Sequence, residues 1–124
     1  MIFEDIKNDF DLFEKETDIP TTYLVKNTNY FKAGCYTYIT EEVEENDDVV
    51  DCVRVNFLLN VYVSSKLLNS YDEIYKALEK LNFYDIKFIG TVRENIEPLC
   101  YNMAFSFYKL YYKKNEENEE NEEN

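Results

Sequence analysis

Between Val49 and Ser64 the sequence alternates in steps of two, for longer than an ordinary strand of about 5–6 residues lasts. Val53, Val55, Phe57, Leu59, Val61 and Val63 fall on one side, and Cys52, Arg54, Asn56, Leu58, Asn60 and Tyr62 on the other. Successive side chains of a strand point to opposite faces, so this is a strand with one core-seeking face and one mixed face. At about 3.3 Å per residue it reaches on the order of 45 Å, against about 35–40 Å for a compact domain of this size. The strand therefore either bends at a bulge or projects from its domain, and a projecting ribbon needs a neighbour to cover it. That sets an expectation of assembly rather than catalysis.

The elements around it follow from periodicity. Ile2, Phe3, Ile6, Phe10 and Phe13 recur at helical spacing, which predicts an amphipathic helix over Ile2–Lys15 that stops at Asp18-Ile19-Pro20. Thr21–Val25 predicts a short strand, Asn27–Asn29 a turn, and Cys35–Thr40 a strand with Tyr36 and Tyr38 on one side. Glu41, Glu42, Glu44, Glu45, Asp47 and Asp48 crowd six acids into the next eight residues, a self-repelling run that predicts a solvated hairpin tip. Ser70-Tyr71-Asp72-Glu73 has the pattern of a capping box, with Tyr71, Ile74, Leu78 and Leu81 as the buried stripe of a helix ending near Asn82. Strands are predicted over Asp85–Val92 and Leu99–Tyr112, with a loop at Arg93–Pro98 between them. Tyr101, Met103, Phe105 and Phe107 form the apolar side of the last strand, and Asn102, Ala104 and Ser106 the other. The order α-β-β-β-α-β-β predicts a single α+β domain over residues 1–114, with two helices packed on a mostly antiparallel sheet whose long strands protrude. The Asn-Glu-Glu repeats of Asn115–Asn124 offer nothing to bury and predict a disordered tail.

Composition narrows the chemistry. There is no histidine, which removes His-based triads and His metal ligands, and the two glycines, Gly34 and Gly90, are too far apart for a phosphate loop. The carboxylate pairs lack the alternating spacing and turn glycine of a calcium loop. Cys35, Cys52 and Cys100 have no CxxC spacing and read as small buried hydrophobes in a reducing compartment. No enzyme, cofactor or metal is expected. A formal charge of −13, six units of it in the last ten residues, disfavours a general nucleic-acid binder. No apolar run is long enough to cross a membrane, and the acidic first residues are unlike a signal peptide, so a soluble protein of a cytoplasm is expected. Twelve tyrosines suit half-buried positions and partner contacts. Arg54, the one charge in the middle of the long strand, is expected to pair with a carboxylate of a neighbouring strand or subunit, or else to face solvent beside Tyr36 or Tyr38.

Cys35–Thr40 entering a hairpin, the strand Val49–Ser64, the segment Ser70–Leu81 and the strand Tyr101–Leu110 form a pattern. It resembles the tail-terminator (tail-completion, neck) proteins of long-tailed phages and phage-tail-like bacteriocins. The resemblance covers most of residues 1–112 and lies in the arrangement of elements, not in a signature motif. It implies a homo-hexameric ring in a virion or tail-like particle, assembled in the host cytoplasm. Such a ring caps the tail tube and meets tube, sheath or connector proteins, and DNA passes through it without specific binding. Residue reading adds candidates: Tyr36, Tyr38, Arg54, Asn56 and Tyr62 for the subunit interface, and the acids of Glu41–Asp48 for a channel lining or docking surface. Two alternatives stand beside it, an acidic DNA mimic that inhibits a DNA-binding enzyme, and another head-completion or baseplate subunit.

Overall fold

The computed structural model of the chain describes residues 2–24, 32–43, 52–64, 67–94 and 100–112. Its elements are α1 (Ile2–Thr17), β1 (Thr21–Tyr23), β2 (Lys32–Val43), β3 (Cys52–Val63), α2 (Leu67–Lys80), β4 (Tyr84–Glu94) and β5 (Cys100–Tyr112). The α+β class and the element order match the sequence expectation. The strands form one sheet in the order β1-β2-β3-β5-β4, antiparallel except where β1 runs parallel to β2. Gly34 permits that parallel contact, because a Cβ there would sit 3.0 Å from Thr21 Oγ1.

Strand β3 occupies the centre. It pairs with β2 from Lys32↔Val63 to Val43↔Cys52 and with β5 from Val63↔Tyr101 to Cys52↔Tyr112, with no break in register on either side. Within its described span it therefore neither bends at a bulge nor protrudes alone; two strands of similar length travel with it. Residues 49–51 and Leu99, which the sequence adds to these strands, lie outside the described residues, as do Val25, the Asn27–Asn29 turn, most of the Arg93–Pro98 loop and the Asn115–Asn124 tail.

All six predicted core positions of β3 are at most 4% exposed. The helices tile this face along the strands. Helix α1 lies where Phe10 meets Phe57 (ring centroids 5.4 Å apart) and Tyr36 (3.8 Å, nearly parallel). Helix α2 lies where Tyr71 stacks on Phe105 (5.9 Å) and Glu73 pairs with Lys32 (3.1 Å). Ile6, Phe10, Phe13, Ile74, Ala77 and Leu78 complete one continuous core with the sheet. Burying each large apolar side chain contributes about 1.5–3 kcal/mol.

Several local expectations need correction. Phe3, placed on the buried stripe of α1, is 65% exposed. Helix α1 runs two residues beyond Lys15, to Thr17, and stops as expected at Asp18-Ile19-Pro20, where Asp18 turns left-handed (φ 57°). Thr17 secures the exit, donating from Oγ1 to the Phe13 carbonyl and accepting from the Ile19 amide. Helix α2 begins at Leu67, so Ser70 is not its cap but lies inside it, buried, and Glu73 serves the ion pair with Lys32 rather than a capping box. The other end of α2 stops in a Schellman arrangement: Asn82 is left-handed (φ 65°), its amide bonds Glu79 O, and the Phe83 amide bonds Leu78 O. Glu41 and Glu42 are not in a hairpin tip; both belong to β2, opposite Arg54 and Val53. Glu44, Glu45, Asp47 and Asp48 lie outside the described residues.

Candidate functional site

With both helices on one side, the opposite face of the sheet has no second layer among the described residues. Strand alternation and register decide what stands there. From β2 come Ala33, Cys35, Thr37, Ile39 and Glu41; from β3, Arg54, Asn56, Leu58, Asn60 and Tyr62. Strand β5 adds Asn102, Ala104, Ser106, Tyr108 and Leu110, and β4 adds Tyr84, Lys87 and Val92. Ile39, Leu58, Tyr84 and Val92 are exposed apolar side chains on this face. Cys35, Ala104 and Ser106 place small side chains in the middle of it.

A polar chain crosses this surface. The Arg54 guanidinium lies 3.9 Å above the Tyr108 ring, which itself stacks on Tyr84 at 5.6 Å. Arg54 Nε donates to Asn56 Oδ1 at 3.0 Å, and Asn56 Nδ2 donates to Glu41 Oε1 at 2.9 Å. An arginine held by a ring on one side and an amide in its own plane has already lost much of its rotamer freedom. It can therefore meet a carboxylate or a second ring at low entropic cost. Among the described residues Arg54 meets the neighbouring strand β2 through Asn56 rather than in a direct ion pair, and its aromatic partner is Tyr108.

The five predicted interface residues fall into two sets. Arg54, Asn56 and Tyr62 are together on the uncovered face. Tyr36 and Tyr38 pair with Leu59 and Phe57, so they are on the helix-covered side. Tyr36 is a core residue at 6% exposure, and burial first, then Asp11 and Tyr23, push its hydroxyl pKa up. Tyr38 is half-buried and pushed up to about 12, by burial and by its neighbours Tyr23 and Tyr36. Sequence reading missed Ile39, Tyr84, Tyr108 and Leu110; only strand pairing, not the pattern within any one strand, brings them beside Arg54.

Strand β5 also carries a lysine on the covered side. Lys109 Nζ pairs with Asp9 at 3.0 Å and donates to the Leu81 carbonyl at 2.9 Å, and Tyr111 donates to Asp9 at 2.6 Å. This ties β5 to α1 and to the end of α2. Cys35 and Cys52 are buried free thiols, and burial pushes the Cys35 pKa up, away from the reactive thiolate. Among the described residues no group of three or more Cys, Asp or Glu is placed to hold a metal ion. No described helix is long and apolar enough to cross a membrane.

A comparison with known protein families and one with curated proteins each found no match.

Proposed function

We propose that this chain is a structural subunit that closes into a homo-oligomeric ring by burying the uncovered sheet face, in the role of a phage tail-terminator or neck protein. The observation that carries the reading is that face, with its exposed apolar residues around a pre-held Arg54. Four long strands at about 4.8 Å spacing and about 40 Å length make a patch of roughly 750 Å², close to the ~800 Å² per partner of a specific interface. A ring needs a heterologous contact, one face of a copy against a different face of the next. The outward side of α1 is a candidate mate: its exposed Glu4, Asp11, Glu14 and Glu16 outnumber its exposed Lys7 and Lys15, although Asp11 and Glu16 are paired with Lys7 and Lys80, while the sheet face presents Arg54 and Lys87 beside Glu41. Surplus negative charge on the assembled ring suits a channel through which DNA slides without adsorbing, between the tail tube or sheath and the connector.

The test is the oligomeric state by sedimentation velocity and native mass spectrometry, together with a Leu58→Asp variant. A hexamer that Leu58→Asp reduces to monomers of unchanged melting temperature supports the reading. A wild-type protein that stays monomeric across the concentration range sinks it. The net acidic charge of the chain also favours a second reading, a DNA mimic. A monomer binding a DNA-binding protein at nanomolar concentration would establish that one instead.

A further inference from the structure

The two edges of the sheet are guarded very differently. Edge strand β4 breaks register twice, between Tyr84 and Lys87 and between Phe88 and Gly90, and carries Asp85, Lys87 and Arg93. Bulges and charges of this kind block the addition of another strand. Among the described residues the opposite edge is covered only by the three residues of β1, which pair with Gly34–Tyr36. Leu24 is left-handed (φ 67°), outside strand geometry, and is the last described residue on that side. Beyond that point, Thr37–Glu41 of β2 has no strand on its outer side among the described residues, and it has no bulge, proline or lysine.

Backbone parity identifies which groups are on offer. Gly34 donates its amide to the Pro20 carbonyl and Tyr36 gives its carbonyl to the Leu24 amide, so the even-numbered residues of β2 aim their backbone at the outer side. Tyr38 and Thr40 therefore present N–H and C=O groups past the end of β1, while Thr37, Ile39 and Glu41 turn theirs to β3. Beneath this edge, on the helix side, is a cleft of about 370 Å³ lined chiefly by Phe3, Tyr23, Tyr36, Tyr38, Lys7 and Asp11. Lys7, its cation, is already paired with Asp11 at 3.1 Å. On the other side of the same edge stands the exposed carboxylate of Glu41.

We propose that the outer edge of β2 at Tyr38–Thr40, with its tyrosine-lined cleft, is a strand-addition site for an extended segment of a partner protein that alternates apolar and basic residues. An added strand would drop its apolar side chains toward Phe3, Tyr23 and Tyr38 and lift its Lys or Arg side chains toward Glu41 on the sheet face. Charge complementarity makes the partner basic and argues against the chain's own acidic segments. The backbone groups of the site are on an edge and only Glu41 is shared with the sheet face, so strand addition does not rest on ring closure.

The test is amide hydrogen exchange by NMR on the full chain, with a short synthetic peptide alternating lysine and valine as the probe. Binding should slow exchange at Tyr38 and Thr40 by about tenfold or more and leave Thr37, Ile39 and Glu41, already bonded to β3, unchanged. The same peptide with N-methylated backbone amides, and a Thr40→Pro variant of the protein, should lose that protection. Equal protection by a glutamate–valine peptide, or none by the lysine peptide, overturns the proposal. Concentration-dependent protection of Tyr38 and Thr40 without any peptide also overturns it, because a second copy would then be the occupant.

Discussion

Phe10 is the residue on which the helix–sheet contact turns. It stacks on Tyr36 and meets Phe13, Phe57, Phe83 and Phe107 within one cluster. Phe10→Ala should cost about 3–5 kcal/mol in denaturant unfolding, and Phe57→Ala a similar amount. Leu58→Asp, on the other side of the same strand, should leave the unfolding midpoint nearly unchanged. Buried tyrosines add a pH dependence. Tyr38 rises from 10.0 to about 12, and Tyr36 and Tyr111 also rise, the last through burial and its bond to Asp9. Below pH 10 both folded and unfolded chains hold these protons and nothing changes. Above it the unfolded chain releases them first, so stability should fall steadily from pH 10 towards 12 in thermal melts. Tyr38→Phe should flatten part of that slope. The core side of β3 could be read from sequence because its two faces differ sharply. The faces of β2 do not: Ala33, Cys35, Thr37 and Ile39 are as apolar as Gly34, Tyr36, Tyr38 and Thr40. Which of them turns inward is settled by Phe10 of α1 and by register with Phe57, and neither is local to the strand.

At the scale of elements, the start of α2 was harder to read than the stripes or the stops. The apolar spacing of α1 and α2 located both helices, and each stops where the sequence placed its end, through a left-handed residue, Asp18 ahead of Pro20 and Asn82. Asn82→Ala should cost about 1–2 kcal/mol and Asn82→Gly should not, since only the Cβ is penalised at that φ; parallel thermal melts would compare the two. The capping pattern at Ser70 misled because Glu73 is drawn to Lys32, a partner 41 residues away. Lys109 shows the same long reach. Its bonds to Asp9 and Leu81 join β5 to both helices, and Lys109→Met should cost about 1.5–3 kcal/mol in urea unfolding.

For the whole molecule, the sheet order decides what is left for partners. A sequence can announce that β3 has a mixed face, but whether that face meets a second helix layer or nothing depends on both crossovers placing α1 and α2 on the same side. The proposed ring face and the proposed strand-addition edge are separable by mutation. Leu58→Asp should abolish oligomers in sedimentation while leaving peptide protection at Tyr38 and Thr40 in place, and Thr40→Pro should do the reverse. The central position of β3 has a consequence for how the chain reaches this state. Its β2 partner is near in sequence, but its β5 partners are tens of residues away. On a ribosome the β2–β3 hairpin would wait, one flank bare and its valines unshielded, until residues 100–112 emerge. High contact order of this kind slows the final closure and lengthens the window in which nascent chains can stick to one another. Refolding yield should thus fall with rising protein concentration far more steeply than native stability alone would suggest.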